Sequence, residues 1–220
     1  MRGLATHYDY IPGSPSYNPD ADYGPSLLDM THKIVIAPII ELPFGRGRAY
    51  INKGGWQDYL VGGWRVSVVG LIQSGFPLGV NQTPNTTQLN GAGQRPNLVA
   101  GVDPRVPGDI TERLRTNPAD NLYLNPAAFS TAPAFTLGTG PRILSGLRSP
   151  GRWSTDLALD KEFHLARTMR GTFRVEVINL FNTPWYTSLA STSLGAANFA
   201  QVTTQANLSR FTQFSFRLSF

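Results

Sequence analysis

The chain has 220 residues, 41% of them apolar but only 15% charged, against about 25% charged in an average soluble domain. Its net charge of +5 comes from basic residues scattered singly, which excludes a nucleic-acid-binding stripe, and the absence of cysteine excludes disulfides and thiolate metal or redox chemistry. No apolar run reaches the roughly 20 residues of a membrane-crossing helix, and the first ten residues, MRGLATHYDY, lack the apolar core of a secretion signal, so any export signal is expected upstream.

The first predicted strand is THKIVIAPIIEL (31–42), an apolar run of strand length. The second, WRVSVVGLIQ (64–73), alternates: Trp64, Val66, Val68 and Ile72 share one face, Arg65, Ser67 and Gln73 the other, with Val69 and Leu71 breaking the pattern. A long stretch follows, rich in Pro, Gly, Asn and Thr, in which DITERLRTN (109–117) is expected to form two helical turns. The third strand, WSTDLALDKEFHL (153–165), sets Trp153, Leu157, Leu159 and Phe163 against Ser154, Asp156, Asp160, Glu162 and His164. The fourth, TFRVEV (172–177), sets Phe173, Val175 and Val177 against Thr172, Arg174 and Glu176. The fifth, LSRFTQFSFRLSF (208–220), sets Phe214, Phe216, Leu218 and Phe220 against Gln213, Ser215, Arg217 and Ser219. The period is two throughout, and each strand can reach the 9–11 tilted residues of a membrane-spanning strand.

The connections differ in length. Residues 76–151 and 182–207 form long polar loops, 43–63 a medium link, and 166–171 a short turn. Transmembrane barrels have short periplasmic turns and long outer loops, whereas a soluble domain rarely holds 75 residues without structure. The pattern predicts an all-β, antiparallel transmembrane barrel. Leu157, Leu159, Val175, Val177, Phe214 and Phe216 are expected to face lipid, with Trp64, Trp153, Phe163, Phe173 and Phe214 as lipid and interface aromatics. Asp156, Asp160, Glu162, Arg174, Glu176, Arg217 and Gln213 are expected to face the lumen. The alternative is a soluble or surface β-sandwich that binds carbohydrate through loop aromatics such as Phe129, Phe135 and Trp185.

Five blocks carry a resemblance: DYGPSLLDMTHKIVIAPIIELPFGRGR (22–48), GGWRVSVVGLIQSGFPLGV (62–80), RSPGRWSTDLALDKEFHL (148–165), FRVEVINLFNTPWY (173–186) and RFTQFSFRLSF (210–220). In this order they resemble the C-terminal part of TonB-dependent outer-membrane receptors, most of all the Oar-like group that often carries a carboxypeptidase-regulatory-like domain. The resemblance implies a 22-stranded plugged barrel and uptake of a scarce nutrient (metal chelate, saccharide or peptide) energised by the TonB complex. It also implies that Phe216, Leu218 and Phe220 form the signal read by the outer-membrane assembly machinery. No plug or TonB-contacting segment is recognised in these residues, so the chain is expected to be a fragment of about five C-terminal strands, reaching TonB only through N-terminal parts it lacks. Its expected surroundings are outer-membrane lipid, the assembly machinery and an unidentified small ligand, without nucleic acid.

Catalytic and cofactor chemistry is not expected. His7, His32 and His164 are far apart and lack metal-ligand spacing, and no G-x-S-x-G elbow occurs. The carboxylates of the third and fourth strands are expected to pair with Arg174 and Arg217 rather than act as an acid–base couple. GRGR (45–48) and GTGPR (138–142) are expected to be turns rather than phosphate loops, and the NQT and NTT sequons (81–87) carry no functional expectation.

Overall fold

A computed structural model describes residues 23–52, 55–88, 93–164, 168–186 and 188–220. In chain order these hold strands β1 (Lys33–Ile36) and β2 (Ile39–Glu41), helix α1 (Trp56–Val61), and strands β3 (Trp64–Gln73), β4 (Asn81–Gln82) and β5 (Asn97–Leu98). Helix α2 (Ile110–Thr116), a 3-10 turn at Pro126–Ala128, and strands β6 (Phe129–Ser130), β7 (Arg152–His164), β8 (Arg170–Ile178), β9 (Ser193–Leu194) and β10 (Phe211–Ser219) complete them. The chain divides into two compact units. One is the sheet of Lys33–Gln73, Trp153–Pro184 and Asn207–Phe220; the other takes Ser74–Arg152, Trp185–Ala206 and the described residues before Lys33.

In the sheet unit the strands run in the order β1, β3, β7, β8, β10, with β2 also beside β3. Lys33 pairs with Gln73 and Ile39 with Ser67, so β1 and β2 share one register and are one strand interrupted at Ala37–Pro38. Pro38 has no N–H; its carbonyl still accepts from Val68 N, but the return bond of that rung is lost. This is why the single strand expected over 31–42 appears as two. The other four expected strands lie within three residues of their predicted ends. The β7–β8 and β8–β10 ladders are antiparallel and unbroken: Leu159 faces Val175, which faces Phe214, and Asp160 faces Arg174, which faces Ser215. The end of β7, the start of β8, the end of β2 and the start of β3 lie at one end of the sheet. The chain leaves for its long connections at the other. Among the described residues neither β10 nor the β1–β2 edge has a second partner strand, so the sheet is open at both edges.

The long connections are not the structureless loops that their composition suggests. They build a unit with its own core of Val80, Leu124, Ala128, Phe129, Leu144, Leu147, Phe199 and Ala200. Phe129 meets Phe199 edge to face at 5.9 Å. Segments far apart in sequence join there: β4 pairs in parallel with β9, β5 pairs with β6, and Tyr123 N donates to Ala200 O. The two expected helical turns are α2, capped by Asp109, whose carboxylate accepts from Thr111 N and Glu112 N.

Gln94 is the polar centre of this unit. Its Oε1 accepts from Thr86 N at 2.8 Å and from Gln82 Nε2 at 3.1 Å, and its Nε2 donates to Thr136 O at 2.8 Å and Pro133 O at 3.2 Å. Beside it Gly138, at φ +77°, lies so close to Arg95 O that a Cβ would come within 1.8 Å.

Candidate functional site

Strand pairing alone decides which side chains of the sheet share a face. On one face the register aligns Leu157 with Val177, Leu159 with Val175 and Phe214, Lys161 with Phe173 and Phe216, and Phe163 with Gly171 and Leu218. Phe163 stacks on Phe216 at 5.9 Å and Phe173 on Phe214 at 6.3 Å. The Phe163 ring also lies over Gly171, where a Cβ would come within 2.5 Å of it, so the glycine leaves room for the ring. At the far end of the same strand Trp153 packs on Phe181 at 5.7 Å. From Trp153 to Phe163 is ten residues, about 33 Å along a strand. At the 35–45° tilt of a barrel strand this projects to about 23–27 Å, the height of the apolar band of an outer-membrane barrel.

The expected interface aromatics Trp153, Phe163 and Trp64 stand at the ends of this face. Phe214 and Phe173, expected as lipid or interface aromatics, lie on the same face nearer its middle: Phe214 aligns with Leu159 and Val175, and Phe173 lies one residue pair from it. Phe216 and Leu218 belong to the same face, and Phe220 follows β10 fully in the open.

The opposite face is charged and internally paired. Arg174 holds Asp160 at 3.1 Å and Glu176 at 2.6 Å, and Arg65 approaches Asp160 from β3 at 3.5 Å. The Asp160 carboxylate is buried beneath these two guanidiniums. Arg170 lies 3.8 Å from Glu162. Arg217 and Gln213 continue this face on β10, opposite Thr172 and Glu176. Asp156 has the parity of Asp160 and stands toward the other end of β7, where its Oδ1 accepts from Asn179 N at 2.8 Å.

Asn179 and Asn182 escaped the sequence reading. Both are left-handed, at φ 54° and 52°. Buried Asn179 donates to Thr183 O and Leu208 O and accepts from Thr183 N, while Asn182 Oδ1 accepts from Arg210 N. The two amides tie the end of β8 to the start of β10. The signal was present in INLFNTP: asparagine is the residue other than glycine that most readily takes a left-handed turn.

Lys161 was also missed. Its odd number puts it in the row of Leu159 and Phe163, on the apolar face. It does not stay among them: its ammonium donates to Gly62 O and lies 5.6 Å from the Trp64 ring. An open recess of about 610 Å³ lies at this end of the sheet, bounded by Glu41, Arg48, Asp58, Arg65, Glu162 and His164.

The remaining expected residues are dispersed. Phe129 is core, Phe135 is exposed, and Trp185 lies 4.9 Å from the Arg152 guanidinium. His164 ends β7; His32 N donates to Ser74 Oγ; His7 falls outside the described residues. GRGR forms a turn closed by Arg48 N donating to Gly45 O, and neither it nor GTGPR opens a helix. Among the described residues no three His, Asp or Glu side chains converge as metal ligands. In the loop unit Arg148 clamps three segments, donating to Asp29 O and Gly75 O and pairing with the Asp29 carboxylate, while its own carbonyl accepts from Tyr123 Oη at 2.7 Å. The Arg148 hydrogen bond holds the Asp29 carboxyl below its usual value, and burial pushes the Tyr123 phenol up.

Comparisons with curated proteins and with solved structures found no match. A family model described as an outer membrane beta barrel domain matches residues 5–213. That match spans both the two-faced sheet and the folded connections and leaves the soluble sandwich without support. The chain belongs to the outer membrane beta barrel domain family and resides in the outer membrane.

Proposed function

We propose that this chain is barrel wall from the C-terminal part of a TonB-dependent receptor, taking up a scarce nutrient across the outer membrane. The observation that carries the reading is the division of one continuous register into two unlike faces. The aliphatic face ends in aromatics about 33 Å apart, which suits lipid. The other holds Arg174, Asp160, Glu176 and Arg65 in mutual ion pairs, which suits a plugged or watery lumen. On this reading the loop unit is extracellular, the β7–β8 turn periplasmic, and Phe216, Leu218 and Phe220 are offered to the assembly machinery. The role is binding and transport, with no catalytic step of its own. Receptor identity, as distinct from barrel, rests on the resemblance of the five sequence blocks.

The natural absence of cysteine makes the faces directly testable. Single cysteines replacing Leu157, Val175 or Phe214 should react with a lipid-soluble maleimide in isolated outer membranes. Cysteines replacing Glu176 or Arg217 should react only with a water-soluble one. Reversal of the two sets rejects the assignment. Energy coupling is tested separately by crosslinking the complete protein in energised cells: recovery with TonB is expected, and its absence leaves a passive barrel.

A further inference from the structure

Helix α1 is built inside out. Trp56, Tyr59 and Leu60, spaced i, i+3, i+4, form one stripe and are 71%, 66% and 61% exposed. Asp58 points the other way: its Oδ1 accepts from Arg46 N at 2.7 Å, against the close approach of Gly45 and Gly62. The helix buries none of its residues. Six residues do not hold a helix in water by themselves.

The helix is tied to the apolar face of the sheet. Leu60 O accepts from the indole Nε1 of Trp64 at 2.8 Å, and Gly62 O accepts from the Lys161 ammonium. Trp64 is the first residue of β3 on that face and Lys161 lies one residue pair inside Phe163, so the helix is joined to the apolar face at its aromatic end. Tryptophan and tyrosine collect at bilayer interfaces, and a lysine on a lipid-facing row carries its charge toward the headgroups. The exposed cation of Arg46 beside the helix suits anionic phosphates.

We propose that α1 is an interfacial foot, its Trp56–Tyr59–Leu60 stripe lying in the headgroup layer of the periplasmic leaflet with phospholipid as its partner. This rests on the reading that the aliphatic face meets lipid and that the β7–β8 turn is periplasmic. The helix would hold the sheet at a fixed depth.

The test is spin-label depth measurement in isolated outer membranes of cells producing the complete protein. Labels are placed at Tyr59→Cys, Leu60→Cys and Gln57→Cys, with Val175→Cys as reference. The ratio of relaxation by oxygen to relaxation by a water-soluble nickel chelate should favour oxygen at 59, 60 and 175, with a shallower depth at 59 and 60, and favour nickel at 57. Nickel preference at both 59 and 60 while 175 favours oxygen overturns the foot and leaves the face assignment standing. Labels at 59 and 60 reached by neither reagent identify a protein cover instead of lipid and also overturn it. Nickel preference at 175 sinks the face assignment, and the foot with it.

Discussion

In the sheet, Phe214 and Ser215 are neighbours in sequence and face opposite sides, and the same rule places each residue of β8 from Arg170 to Ile178. In the loop unit, Gln94 is buried with four partners while its neighbours give no sign of it. One region is specified by repetition, so a single substitution disturbs one rung of many. The other is specified by individual side chains that join distant segments, so the loss of one leaves several groups unsatisfied. Regularity makes the sheet legible and tolerant on its polar face; irregularity makes the loop unit compact but dependent on a few residues.

The largest effect expected tests the parity of the sheet. Phe216→Asp puts a carboxylate on the apolar face beside Phe163 and Phe173. A charge in the lipid-facing band costs up to about 2–4 kcal/mol, less for a carboxylate than for a cation. Arg217→Ser, one residue away, touches only the charged face. Heat-modifiable folded protein in the outer-membrane fraction should fall several-fold for the first and stay near normal for the second. Equal yields would mean that parity in β10 carries no information.

Next comes the loop unit alone. Gln94→Ala strands Thr86 N and Thr136 O and takes one partner each from Gln82 Nε2, which keeps Ala132 O, and from Pro133 O, which keeps Thr136 Oγ1, at about 2–4 kcal/mol in sum. Residues 76–151 should become protease-sensitive while heat-modifiability is unchanged. If both were lost together, the two units would not be separable in stability. An epitope inserted at 94 should be as harmful. One at Gly101, an exposed turn at φ +77°, should be tolerated.

A smaller effect belongs to Asp160→Asn. It removes the carboxylate shared by Arg174 and Arg65, both more than a third exposed, so solvent screening limits the cost to about 1–2 kcal/mol. The urea midpoint of the folded protein should drop slightly. A drop as large as that of Phe216→Asp would show that the charged face carries as much specificity as the apolar one.

The smallest is a pH effect in the loop unit. Asp29 has its folded pKa depressed by Arg148, so its contribution is complete above the unfolded value near 4 and is lost as pH falls through the folded value. Protease nicking at residues 23–32 should rise below pH 4, and Arg148→Met should remove that pH dependence. Nicking that rises equally in the variant would place the acid sensitivity elsewhere.

These differences explain what could be read in advance. Strand ends and faces followed from alternation, since in a sheet the side of a residue is set by its number. Lys161 was legible on the same rule, though its polarity hid it. Pro38 divided a strand that the apolar run alone made continuous. The core of the loop unit was not legible: Leu124, Leu144 and Phe199 stand among Pro, Gly and Asn at no period, and their partners are up to about a hundred residues away. Nor was α1, whose six residues are too few to show a helical repeat and whose apolar stripe points outward.

The pairing of β4 with β9 has an implication for biogenesis. Asn81 and Ser193 are held side by side, yet β7 and β8 lie between them in the chain. The loop unit therefore cannot be completed from any continuous stretch of polypeptide. If it stands outside the cell, its pieces must cross the membrane one by one, unpaired, and close over one another only after the last has arrived. Such long-range closure is slow. The barrel would be inserted before its surface is finished, and for that interval its exterior would be the part most open to proteases.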